Sequence, residues 1–142
     1  MKRIGSGLAA LLVGAGMTSA AMAADVTVTL TGVQAKGGQM LVSLQSREQF
    51  MKPQGAAGAT GPAEAGTQVF TVQDVAPGDY AVMVMHDADS DWSMDRQASG
   101  MPSEGWGMSG NAPTNRAPAF DEVKFTVPAG GGAVSIALVY PQ

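Results

Sequence analysis

The run His86-Asp87-Ala-Asp89-Ser-Asp91-Trp-Ser-Met-Asp95 holds the chain's single histidine and four of its 12 acidic residues. Counted from Asp87, the aspartates fall at positions 1, 3, 5 and 9. Carboxylates this crowded repel one another unless water or a cation screens them. The spacing is that of a calcium loop, in which alternate carboxylates curl round one hard cation and a backbone carbonyl at position 7, here Ser93, joins them. Two positions depart from that pattern: Trp92 stands at position 6, where glycine is usual, and Ala98 stands at position 12 in place of a bidentate glutamate. Glu104 is the nearest substitute. The expected metal ligands are therefore Asp87, Asp89, Asp91, Ser93, Asp95 and Glu104, holding Ca²⁺ with the weak affinity of extracellular modules, roughly 0.1–1 mM. The competing reading is a solvated acidic loop whose aspartates cap turns.

Other chemistry concentrates nearby. Trp92 and Trp106, with His86 and Ser109, are the candidate ligand or surface residues. The two rings are expected to cover the open end of the fold, the alternative being a platform that stacks on sugars or peptides. Met83, Met85, Met94, Met101 and Met108 with His86 suggest a soft-metal site, since thioethers and imidazole suit Cu(I). Against this, Met83 and Met85 have the spacing of ordinary strand packing. His86, Ser109 and an aspartate make a hydrolytic triad on paper, but no G-x-S-x-G elbow accompanies them, and no catalytic residue is assigned.

Composition narrows the classes. The 142 residues include no cysteine, which excludes disulfides, zinc ribbons and thiol catalysis. A net charge of −4 argues against a nucleic-acid partner, which would need clustered Lys and Arg. Met1-Lys2-Arg3 followed by an uncharged run to Ala24, ending in Ala21-Met22-Ala23, reads as a signal peptide over residues 1–23. Glycines at 5, 7, 14 and 16 make that run a poor permanent anchor, so no membrane span is expected after cleavage. The mature part, 24–142, has 6 basic and 12 acidic residues and is expected to be one periplasmic or secreted domain.

The elements that must present the loop alternate with period two. Val26, Val28 and Leu30, then Met40, Val42 and Leu44, then Val123, Phe125 and Val127, then Val134, Ile136, Leu138 and Tyr140 mark strands, and 67–72 adds another. Residues 80–86 are apolar on both faces, as a central strand requires. Ala76-Pro-Gly-Asp79 and Pro128-Ala-Gly-Gly-Gly132 are turns. The fold class is all-β, an antiparallel Ig-like or prealbumin-like sandwich of about seven strands with one short helix and a long polar loop. The helix is expected at Ser46-Arg-Glu-Gln49, a capping box closed by Pro53. Residues 54–66, rich in Gly and Ala, are expected to be a mobile loop.

Ala76-Pro-Gly-Asp-Tyr80 resembles the P-G-x-Y turn of transthyretin-like sandwiches. The longer stretch from Val75 to Ser109 resembles a family of exported bacterial proteins known only as a domain of unknown function. The residues carrying the likeness are Pro77, Gly78, Tyr80, Ala81, His86, Asp87, Asp95, Gly100, Pro102, Glu104, Gly105, Gly107 and Ser109, with Trp106 as the aromatic. Asp89 and Asp91 stand where the family has asparagines, Trp92 where it has glycine and Gln97 where it has asparagine, changes that add charge and remove the residue suited to a sharp turn. The resemblance implies export and a sandwich fold, and no activity. The function expected is thus a non-enzymatic exported module that binds an envelope protein, glycan or small ligand, with a weak calcium site. The alternatives are a periplasmic copper-binding protein and a purely structural envelope protein.

Overall fold

The computed structural model describes residues 22–142. The expected leader therefore lies outside the described residues, save Met22 and Ala23. Eight strands follow one another: β1 (Ala24–Val33), β2 (Gln39–Gln45), β3 (Ala57–Pro62), β4 (Gly66–Val75), β5 (Gly78–Asp87), β6 (Gly105–Met108), β7 (Lys124–Val127) and β8 (Gly132–Ala137). One turn of helix, α1 (Phe120–Val123), leads into β7. The strands form a three-stranded sheet ordered β4-β1-β8 and a five-stranded sheet ordered β3-β2-β5-β6, with β7 also on β5. The all-β sandwich read from the sequence is what forms. It is not wholly antiparallel, because β8 runs parallel to β1 from Val26↔Gly132 to Thr31↔Ala137.

The core lies between the sheets and takes one face of each alternating strand. Val26, Val28 and Leu30 of β1 meet Met40, Val42 and Leu44 of β2, with Val82 and Val84 of β5, Val72 of β4 and Ile136 of β8. All are at most 3% exposed, so apolar burial is the main force closing the sandwich. Tyr80 fixes the entry to β5: its hydroxyl donates to the Ala76 carbonyl at 2.8 Å across the Pro77-Gly78 turn.

Three local expectations are corrected. Residues 54–66 are not a loop throughout. Ala57–Pro62 pairs antiparallel with β2, from Gln39↔Pro62 to Leu44↔Ala57. Main-chain hydrogen bonds hold this edge strand, so small residues suffice, and Gly61 leaves room for the Phe70 ring, which an added Cβ would meet at 3.2 Å. Residues 46–52 form turns and not a helix. The Ser46 amide donates to Gln49 Oε1 at 3.3 Å, but the Ser46 hydroxyl also turns to that oxygen and not to an amide, so only half the capping box exists. Buried Gln45 closes this segment instead, donating to the Lys52 carbonyl at 3.0 Å and accepting from the Met51 amide at 2.9 Å. The helix lies at 120–123, where Phe120 and Val123 cover Ala81, and β7 consequently begins at Lys124.

Strand β5 is the spine of the larger sheet. On one edge it pairs with all of β2. On the other it pairs first with β7, over Gly78–Ala81, and then with β6, over Met83–His86. Val82 falls in the gap between them, and Ser109 fills it. The Ser109 amide donates to the Val82 carbonyl at 3.0 Å, and its hydroxyl accepts from the Val82 amide at 2.8 Å while donating to the Val123 carbonyl. Ser109→Ala would leave a buried amide and a carbonyl without these partners. The expected loss is about 1–3 kcal/mol in urea unfolding, and a change below about 0.5 kcal/mol would contradict this role.

Candidate functional site

The faces of β5 alternate in chemistry as well as in direction. Inward it presents Tyr80, Val82, Val84 and His86; the alternate residues are Ala81 under α1, then Met83, Met85 and finally Asp87. Asp87 is fully buried at the strand end, where the chain leaves the sheet. Its Oδ2 accepts from Gln39 Nε2 at 2.7 Å and from the Trp92 amide at 3.0 Å, and its Oδ1 accepts from the Asp91 amide at 3.1 Å. The loop thus folds round its own carboxylate.

That wrapping needs unusual backbone. Ser90 (φ 59°) and Trp92 (φ 65°) are both left-handed, a conformation costing a non-glycine residue about 1–2 kcal/mol. The turn expected to be lost with glycine is therefore kept, and the hydrogen bonds offset its strain. The Asp89 Oδ1 and Asp91 Oδ1 atoms each accept an amide two residues on, from Asp91 at 3.3 Å and Ser93 at 2.8 Å. Ser93 enters the loop through this N–H. Successive amides pointing one way form an anion-holding concavity, and Asp87 is the anion inside it.

Beyond Ser93 the chain doubles back. Arg96 bridges Pro102, the Gln97 amide donates to the Met101 carbonyl at 2.8 Å, and the Ser103 amide donates to the Asp95 carbonyl at 2.8 Å. This return brings Glu104 beside Asp89 and Asp95. Its Oε1 accepts from the Ala88 amide at 3.0 Å and its Oε2 from the Asp95 amide at 3.3 Å. Two groups of acids result, Asp87/Asp89/Asp91 and Asp89/Asp95/Glu104, in each of which one oxygen from every carboxylate lies within 4.8 Å of the others. Asp89 belongs to both.

The carboxylates are not equivalent. Burial pushes Asp87 up, but its bonds from Gln39, Trp92, Asp89 and Asp91 outweigh this and hold it below the usual carboxylate range. Asp89 is raised, by lost hydration first, then by its hydrogen bond to Asp87 and the charges of Asp91 and Asp95. Glu104 is raised too, chiefly by burial, with Asp87 and Asp95 adding repulsion that the two amides only partly offset. Asp87 is therefore held as an anion whose acceptor sites are already served by the protein's own donors. Uncompensated negative charge remains at Asp89 and Glu104, and no carboxylate bond engages Asp95 among the described residues.

The remaining candidates separate. His86 is buried, with Nε2 at 2.7 Å from the Gly37 carbonyl and Nδ1 at 2.6 Å from the Tyr140 hydroxyl. Because Gly37 can only accept, Nε2 carries the proton and the Tyr140 hydroxyl donates to Nδ1, an assignment that rests on the network. Tyr140 in turn accepts from the Gln34 amide at 3.0 Å. Both ring nitrogens are engaged on the inner face, on the opposite side of the sheet from Met83, Met85 and Met108, so His86 does not join those thioethers. Ser109 is occupied at Val82 and Val123, so it makes no triad with His86. The tryptophans do not both cover the sandwich end: Trp92 is 65% exposed, whereas Trp106 is half-buried on β6. Trp106 exchanges main-chain bonds with Val139 (2.9 and 2.7 Å), stitching the two sheets together. Gly105 and Gly107 take the inner positions of β6, where a Cβ would strike Tyr140 and Ile136 at 2.3 and 2.6 Å. Gln39 and Tyr140, the partners of Asp87 and His86, were not signalled by sequence spacing, since each lies more than 45 residues from the group it serves.

Fold and loop together define a two-sheet β-sandwich with an acidic loop folded over the end of its central strand. The chain belongs to the family described as "uncharacterized protein conserved in bacteria (DUF2141)", whose sequence profile matches residues 28–136. No curated protein and no solved structure matches the chain.

Asp87→Asn would turn an amide NH₂ against donors that Asp87 now satisfies, costing about 1–3 kcal/mol in urea unfolding at pH 7 in EDTA. Because folding lowers this group's pKa, its contribution is complete above the ordinary value of about 3.9 and is lost as pH falls through the lower folded value. The deficit of the variant should shrink at pH 3, and a constant deficit would contradict the assignment.

Proposed function

We propose that the protein is an exported β-sandwich binding module whose acidic loop takes Ca²⁺ between Asp89, Asp95 and Glu104. One observation carries the reading: these three carboxylates, from two separate parts of the loop, converge to within 4.8 Å although like charges repel. Each carboxylate has about four acceptor sites, so the amides already bound to Glu104 leave room for a hard cation. Oxygen-only ligands favour Ca²⁺ over softer metals. The partial exposure of the group, with Asp89 and Asp95 at the surface, suits a weak site that stiffens a long loop. Buried Asp87 and exposed Asp91 shape the loop through main-chain bonds. The leader features of residues 1–23 support export, and β1 begins at Ala24, the residue after the expected cleavage point. No helix among the described residues is long and apolar enough to cross a membrane.

Protein recovered from the envelope or medium should begin at Ala24. At 10 mM Ca²⁺ and a Kd of roughly 0.1–1 mM, mass action adds about 1.4–2.7 kcal/mol, a rise in melting temperature of roughly 5–10 °C for a domain of this size. Asp89→Asn, at an exposed position shared by both acidic groups, should abolish the rise. A melting temperature indifferent to calcium, or an equal rise in the variant, would refute the site.

A further inference from the structure

The outer face of the five-stranded sheet carries an open groove of about 700 Å³. Its floor is Leu41 of β2, Met83 and Met85 of β5, and Trp106 and Met108 of β6. These are the alternate residues of strands whose other faces build the core, and they pair across the sheet as Leu41↔Met85↔Trp106 and Met83↔Met108. The returning loop, with Trp92, Met94 and Met101, completes the lining together with residues from the 113–118 segment and the Met51–Pro53 turn. The volume falls within the range of small-ligand pockets, roughly 300–1,000 Å³. Methionines adapt to flexible apolar partners because the thioether chain is unbranched and polarizable.

The charges around this groove run against those of the rest of the protein. Among the described residues there are 12 acidic and 6 basic side chains, yet no acid lines the groove, while Lys52, Arg96 and Arg116 do. Arg116 is paired with Glu122, outside the lining, at 2.6 Å. The Arg96 guanidinium donates to the Gly100 carbonyl at 2.9 Å, and neither it nor Lys52 has a carboxylate partner among the described residues. We infer that this groove binds a single-chain anionic amphiphile, its apolar tail along the methionine and tryptophan floor and its carboxylate at Arg96 and Lys52. The cationic rim favours such an occupant over Cu(I), which the thioethers alone would otherwise suit, because a metal cation would be repelled by the nearest charges. The inference goes beyond the cation reading and stands on different side chains, so it is tested in EDTA.

The chain's two tryptophans, Trp92 and Trp106, both line the groove, which makes intrinsic fluorescence a direct reporter. Dodecanoate, titrated below its self-association concentration, should give a saturable spectral shift. Dodecanol should bind about tenfold more weakly and dodecyltrimethylammonium should not compete. Arg96→Gln and Lys52→Gln should each weaken dodecanoate several-fold, and the pair together at least tenfold, with melting temperatures unchanged. Met101→Glu, at an exposed wall position, should weaken it as strongly, whereas Arg47→Gln, remote from the groove, should not. Equal binding of the cationic and anionic amphiphiles, or undiminished binding by the double charge variant, would overturn the inference. So would a stoichiometric anaerobic Cu(I) response with none to dodecanoate.

Discussion

A carboxylate with no exposed surface, at the end of the central strand, sets the terms for the functional end of this molecule. Asp87 could not be charged there without donors, since an unpaired buried charge costs several kcal/mol. Gln39 supplies one donor from the neighbouring strand, and the Asp91 and Trp92 amides supply the others. To deliver those amides the loop must enter left-handed conformations at Ser90 and Trp92. The same turn directs Asp89 towards Asp95 and Glu104 and leaves the Trp92 ring exposed at the rim of the outer groove. A single internal anion thereby organises both the cluster of remaining acids and one wall of the groove.

Strand β5 explains why so much chemistry gathers in one place. Its inner residues join the core and end in His86, clamped between Gly37 and Tyr140. Its outer residues pass from a packed alanine through two methionines to the buried aspartate. Ser109 joins the two strands that share its second edge, so the alternation runs unbroken for ten residues. Among the described residues no buried side-chain nitrogen or oxygen lacks a partner. The polar residues that looked catalytic in isolation, His86 and Ser109, are part of that satisfaction. The negative charge left incompletely compensated is shared between exposed Asp89 and buried Glu104, whose oxygens lie close enough for one cation to reach both.

Much of the architecture was legible because it rests on period-two burial. The alternating sets at 26–30, 40–44 and 80–86 became strands with the expected faces inward. The Gly/Ala-rich segment misled because side-chain composition says little about an edge strand held by main-chain bonds. The capping box at Ser46 misled because Gln45 and Met51 offered that turn a competing set of bonds. In the loop, the 1, 3, 5, 9 spacing and the supplementary Glu104 marked carboxylates that the fold does bring together. Their division of labour was hidden, because it depends on Gln39 and on which amides reach Asp87. The groove was hidden too: Lys52, Arg96 and Arg116 are far apart in sequence and come to line one groove only when the loops fold back across the sheet.

Terbium(III) luminescence tests the central claim most directly, since Tb³⁺ occupies oxygen sites that suit Ca²⁺ and Trp92 stands within the loop to sensitise it. Excitation through tryptophan should produce Tb³⁺ emission that saturates at one ion per chain, falls as Ca²⁺ is added, and is largely lost in Trp92→Phe. Emission no greater than that of free Tb³⁺, or emission that Ca²⁺ cannot displace, would mean that the loop's amides and water alone stabilise its carboxylates.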